Sequence, residues 1–232
     1  MTDVVAGAAI SRKRAPRIPA PERRDQILDA AIHLFARNGL RDASTAVLAA
    51  RLGVSEPTLY RHFPTKRALY IAALDHSAEF LLGHWRALAE AAPTPLDALR
   101  EVGRWYFDQL AQEPGHLLLR FRSFSHAEDE AIAARVRGHF MEGFRFVHQL
   151  YEAARSRGQI AATADTRAHA WIYMAVGELL DATQILGLRD ELRLEDIPAI
   201  MRLVQPRPPE APPGTPPPGH AHPAHPRRRA RR

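Results

Sequence analysis

The sequence predicts an all-α protein of about nine helices. Three observations carry this reading. Apolar residues recur at helical spacing, no stretch alternates with period two over a useful length, and Gly, Pro and Asn fall at the breaks between periodic segments.

The first helix is set by Ile27, Ala30, Ala31, Leu34 and Phe35, which fall at i, i+3, i+4, i+7 and i+8 and make one apolar stripe. Asn38-Gly39 ends it, Gly39 being able to take the left-handed conformation that a helix terminus favours. Two very short helices follow near 45–52 and 56–62, then a longer one near 66–90. Pro64 separates the third from the fourth, and Thr65 can cap the fourth. Punctuation at Pro93, Pro95, Pro114-Gly115, Ser125–Asp129, Gly158 and Gly187 divides the rest into helices near 95–112, 115–124, 128–157, 165–187 and 194–204. Residues 1–20 lack periodicity and carry a basic arm, Arg12, Lys13, Arg14 and Arg17. The segment 205–232 holds 10 of the 19 prolines and ends in a run of arginines. Neither end has the composition to bury a core, and both read as disordered.

Composition narrows the function. With no cysteine, a disulfide framework, a thiol nucleophile and a Cys-based zinc site are excluded. No apolar run reaches the ~18–20 residues that span a bilayer, and Val4–Ile10 does not read as a signal peptide. No membrane partner and a cytoplasmic location are expected. There is no Gly-rich phosphate loop, no G-x-S-x-G, no H-E-x-x-H and no spacing that singles out a triad, so neither an enzyme nor a cofactor site is predicted. The net charge of +6 is unevenly spread: residues 1–70 hold 12 Lys/Arg against 6 Asp/Glu, residues 71–204 hold 14 against 19, and residues 205–232 hold 6 against 1. A basic front suits a polyanion-binding head, although basic termini also simply aid solubility.

The stretch 44–63 holds the sharpest pattern. Leu48 and Leu52 lie one turn apart on one short helix, Leu59 and Phe63 one turn apart on the next, with Val54 between. Gly53 supplies the positive φ of a tight turn, Ser55 suits the N-cap of the second helix, and Pro57 in its first turn forfeits no hydrogen bond. Glu56, Pro57, Thr58, Tyr60, Arg61 and His62 are left off the apolar stripe. A recognition helix reads the major groove from that leading end. Two short helices in an ordinary bundle would give the same periodicity.

The run Leu52-Gly53-Val54-Ser55-Glu56-Pro57-Thr58-Leu59-Tyr60-Arg61-His62-Phe63, with Lys66, Ala68 and Leu69 beyond it, resembles the tetracycline-repressor family of transcriptional regulators. The upstream helix with Ile27-Leu28, Ala30-Ala31, Leu34-Phe35 and Asn38-Gly39 is similar to that family's first helix. The likeness covers roughly residues 21–81. It implies that Tyr60 and Lys66 bind phosphates, that Ser44 or Thr45 caps the second helix and touches backbone, and that Glu56, Pro57, Thr58 and Arg61 face base edges. Ser55 and His62 complete the expected DNA-binding set, His62 standing open between groove contact and packing. Two departures matter. Ala46 replaces a base-reading Arg of the tetracycline repressor, and Glu56 puts a carboxylate where it either accepts from cytosine or repels phosphate.

The resemblance further implies a head at 21–81, an effector-binding and dimerisation body at 82–204, and a repressor released from a palindromic double-stranded operator by an unknown apolar or amphipathic effector. The expected homodimer face carries Trp171, Ala175, Leu179, Thr183, Leu186, Ile197 and Met201. The expected effector lining is Trp85, Tyr106, Phe121, Phe144, His148 and Tyr173, since such pockets combine aromatics with a few polar anchors. A competing reading gives the ends the leading part: His220, His222 and His225 with the terminal arginines would bind a metal or coat nucleic acid nonspecifically.

Overall fold

The computed structural model describes residues 19–200, apart from 113, 127, 189, 194 and 198. The basic arm, the 205–232 segment and Met201 therefore lie outside the described residues. Within them are eight α-helices: α1 (Ala20–Asp42), α2 (Thr45–Arg51), α3 (Glu56–His62), α4 (Lys66–Ala91), α5 (Pro95–Gln112), α6 (Gly115–Ser123), α7 (Glu130–Ser156) and α8 (Thr166–Leu186). A short 3-10 turn, Phe124–His126, follows α6. The ninth expected helix falls largely on residues outside the description.

Local signals account for the boundaries. Ser44 Oγ accepts from Val47 N at 3.3 Å, Thr65 Oγ1 from Ala68 N at 2.9 Å and Asp165 Oδ1 from Ala168 N at 2.9 Å. Each satisfies an N–H that has no partner within its own helix. Gly39 turns with φ 72° as its position requires, but the chain then adds a last turn, so α1 continues past the expected stop to Asp42. Gly187, at φ 69°, closes α8 as a left-handed cap.

Two apolar cores result. The first joins Ile27, Ala31, Ile32 and Phe35 of α1 to Leu48, Leu59, Phe63 and the α4 residues Leu69, Tyr70 and Leu74, with Leu119 and Ile132 reaching in from α6 and α7. Ala30 and Leu34 of the expected α1 stripe sit at its edge, because the face turns toward Leu28 and Ile32. The second core joins Leu81, Trp85, Leu99, Val102, Tyr106, Leu117, Phe144, Val147, Tyr151, Met174 and Leu180. Each fully buried Leu, Ile or Phe contributes roughly 1.5–3 kcal/mol. Helix α4 passes through both cores, so no linker divides the N-terminal helices from the larger bundle. Among the described residues no helix is long and apolar enough to cross a membrane.

Candidate nucleic-acid interface and body cavity

Helices α2 and α3 are held by the apolar pairs expected of them: Leu48, Leu59 and Phe63 are buried, and Gly53 makes the turn at φ 65°. Pro57, Tyr60 and Arg61 consequently face outward, with Glu56, Thr58 and His62 half-exposed. Polar contacts then organise this face. Ser44, rather than Thr45, caps α2. Thr45 is buried, its hydroxyl donating to Glu56 Oε1 at 2.7 Å and lying 3.0 Å from the Tyr60 hydroxyl. The carboxylate expected to project toward bases thus leans back onto α2. Ser55 stands at the N-cap position of α3 without making a capping bond; its Oγ lies 2.9 Å from Thr58 Oγ1, which also accepts from Arg61 Nη2 at 3.1 Å. The hydroxyl finds Thr58 one turn on instead of a backbone N–H. His62 lies beside Phe63, ring centroids 6.4 Å apart. Lys66 opens α4, and its Nζ donates to the carbonyl of Arg41 at 2.7 Å, at the end of α1.

The head is tied to the body by charge as well as by Leu119 and Ile132. Arg67 forks onto Asp129, Nε to Oδ2 at 2.6 Å and Nη2 to Oδ1 at 2.5 Å. Asp129 also caps α7, accepting from Ala131 N and Ile132 N. The hydrogen bond from Arg67, with those from the two amides, holds the Asp129 carboxyl down to about 2. Where α1 crosses the start of α6, a Cβ at Gly115 would come 2.7 Å from His33 Nδ1.

In the body, α4 to α8 enclose a partly open cavity of about 550 Å³. Its wall is largely apolar, including Leu81, Leu99, Val102, Phe140 and Met174. Of the expected lining, Trp85, Tyr106 and Tyr173 face it. Phe121, Phe144 and His148 do not. Phe144 is buried between Trp171 and His148, with centroids 4.4 and 5.9 Å away. Phe121 lies tilted against Phe124, centroids 5.7 Å apart, and His148 Nε2 lies 3.3 Å from Thr166 Oγ1. The aromatic content was legible, but the rotation of each helix, which decides which ring faces the cavity, was not.

The polar end of the cavity was missed altogether. Arg120, on α6, donates from Nη1 to Glu178 Oε1 at 2.6 Å and from Nη2 to Asp181 Oδ2 at 2.5 Å and to the Tyr106 hydroxyl at 2.8 Å. Tyr106 donates in turn to Asp181 Oδ2 at 2.9 Å. Asp181 is fully buried, and burial pushes its carboxyl up to about 7 against the pull of Arg120. Burial likewise holds the Tyr106 phenol well above its ordinary value. The one available signal was a charged residue set among apolar ones, Arg120 inside Leu117–Phe121 and Asp181 directly after Leu179-Leu180.

On α8, Trp171, Ile172, Leu179, Ile185 and Leu186 are exposed, Leu186 by 68%. Ala175 lies exposed among them and Thr183 half-exposed, its hydroxyl returned to Leu180 O at 2.8 Å. Ile197 packs on the second core and lines the cavity.

A family model of bacterial regulatory proteins of the tetR family matches residues 27–73, the stretch that builds the first core and the α2–α3 turn. The transcriptional activator FasR of Mycolicibacterium smegmatis is 31% identical over 125 residues, 54% of this chain and 57% of FasR. The nucleoid occlusion factor SlmA of Haemophilus influenzae is 32% identical over 110 residues, 44% of this chain and 50% of SlmA. The chain thus spans about half the length of these curated relatives. Solved structures extend the likeness of fold to the body. The fatty acid degradation regulator FadR of Bacillus halodurans superposes with a TM-score of 0.66 at 19% identity, over 83% of this chain and 96% of that one. FadR of Bacillus subtilis, in complex with stearoyl-CoA, gives 0.67 at 16% identity, over 78% and 96%. The helix-turn-helix head of this all-helical chain, residues 27–73, thus matches the tetR family of bacterial regulatory proteins, and the body shares its fold with solved regulators of that kind.

Proposed function

We propose that the chain is a sequence-specific DNA-binding transcriptional regulator, acting as a homodimer on a palindromic operator and controlled by a small molecule in the body cavity. The observation that carries this reading is α3: a short helix pinned by Leu59 and Phe63, with Pro57, Tyr60 and Arg61 outward at the end that would enter a major groove. Tyr60 and Lys66 serve as phosphate contacts, and Thr58 and Arg61 as base readers. Residues 21–81 form the head and 82–204 the effector and dimer body. The exposed α8 stripe of Trp171, Ala175, Leu179 and Leu186 supplies the interface between copies.

Control is a population shift. A molecule that fits one arrangement of α4 to α8 better than the other changes how the heads are held, because α4 runs from the cavity into the head and Asp129 joins α7 to Arg67. Tight binding without such preference shifts nothing. FasR is named an activator, and repression is the sign we assign here from the family's usual mode. Selection of genomic fragments by the full chain, followed by footprinting, tests the reading. A protected two-fold site at moderate ionic strength supports it, and binding that ignores sequence overturns it. Repeating the footprint without residues 205–232 tests the second reading, in which the basic, His-bearing end does the binding.

A further inference from the structure

The polar end of the cavity is unbalanced in charge and in hydrogen bonding. One base, Arg120, meets two acids, Glu178 and Asp181. Once its bonds and that of Tyr106 are made, Glu178 Oε2 and Asp181 Oδ1 are both shut from water without a donor. Buried acceptors left unpaired are costly, and native structures hold few of them. Nor do the other cations of the wall make up the shortfall. Arg100 is held by Asp97 at 2.6 Å and Arg104 by Glu101 at 3.0 Å, both on α5, while His139 Nε2 of α7 lies 3.0 Å from Asp75 Oδ1 of α4. What the site lacks is a donor carrying positive charge.

We propose that the cavity takes an amphipathic molecule whose polar end is a protonated amine, seated against Glu178 beside Asp181, with its apolar body along Leu99, Val102 and Met174. This rests on the effector reading above and names the ligand's chemistry. Glu178 lines the cavity and is partly accessible from it, so an ammonium seated there meets a carboxylate that Arg120 holds by one oxygen only. Trp85 Nε1, also buried without a partner, remains as a donor for an acceptor elsewhere on the molecule.

Binding of this kind is linked to protons. Near pH 7 the Asp181 carboxyl is partly protonated, because burial raises it. An ammonium supplies the missing charge instead and expels that proton, so amine affinity rises with pH through this range. Tyr106 stays protonated throughout. Of the other groups on the wall, Arg100, Arg104, Arg120 and Glu178 keep their pairs, and a His139→Gln variant removes the remaining imidazole from the comparison.

Calorimetry on the full chain with decylamine and decanoate, matched in chain length, decides the matter. Decylamine is expected to bind at least tenfold tighter at pH 8, and its affinity to fall about tenfold by pH 6, the change one displaced proton brings. Buffers of different ionisation enthalpy should show that proton released. Glu178→Gln and Asp181→Asn should each erase the preference, Glu178→Gln being the variant that keeps the fully buried carboxyl intact. Decanoate or decanoyl-CoA binding as tightly as decylamine at pH 8, or no binding of decylamine, overturns the proposal. Operator binding, measured by anisotropy without ligand, is independent: its absence beside an intact amine preference would sink the regulator reading alone.

Discussion

The Thr45 hydroxyl lies 2.7 Å from Glu56 Oε1 and 3.0 Å from the Tyr60 hydroxyl, so one side chain of α2 fixes two positions of α3. The tilt of α3 is therefore set by polar contacts as well as by Leu59. Replacing Thr45 by Val keeps the shape and removes the bonds. A loss of about 1 kcal/mol in urea unfolding is expected, the usual worth of a part-buried hydrogen bond. Base preference should also shift as Glu56 is released toward the groove. Unchanged stability together with unchanged preference would show that Thr45 holds nothing.

Lys66 and Arg61 should fail differently. Lys66→Ala is expected to weaken binding to every duplex and to reduce the slope of log K against log salt by about one. Arg61→Ala should alter which bases are preferred, at ~1–3 kcal/mol for the affected position, with less effect on the slope. A salt titration of both variants checks this, and an unaltered slope for Lys66→Ala rules out the phosphate contact.

Asp181 makes stability depend on pH with a definite sign. Its folded carboxyl sits near 7 and its unfolded one at 3.8, so between these values the folded chain holds a proton that the unfolded chain has lost. Stability from this group accordingly falls as pH rises from about 4 to about 7. Wild type should lose several degrees of Tm relative to Asp181→Asn across that window, at roughly 2–4 °C per kcal/mol for a chain of this size. Parallel Tm–pH curves would contradict the assignment.

The exposed apolar stripe of α8 should be covered in solution. Leu179→Glu with Leu186→Glu places two charges on it without touching either core. Light scattering is expected to find wild type at twice the chain mass and the variant at one, with operator affinity reduced at least tenfold. A wild type that stays monomeric at micromolar concentration would remove the homodimer from the proposal.

The head was legible because its information is local. Gly53, Pro57, Pro64 and Thr65 act on their immediate neighbours, and Leu48, Leu59 and Phe63 reveal their faces by spacing alone. Gly39 was legible as a turn but not as a kink followed by three more residues, because what holds that last turn is Lys66, 25 positions away from the Arg41 carbonyl. The cavity was harder for the same reason. Arg120 and Asp181 are 61 residues apart, and no pattern within either helix says that they meet. Phe144 and Trp85 look alike in sequence, and only the packing of α7 against α8, and of α4 against α5 and α7, decides that one is sealed in and the other faces the cavity.

The bond from Lys66 to the Arg41 carbonyl has a thermodynamic side. A lysine stem free in water gives up about 1.5–2 kcal/mol of rotamer entropy when it is immobilised. Here the ammonium at the end of the four-carbon stem is already tethered at 2.7 Å before any duplex arrives, and it keeps two further N–H groups. If a phosphate docks there, most of the ordering cost falls on folding and little on capture.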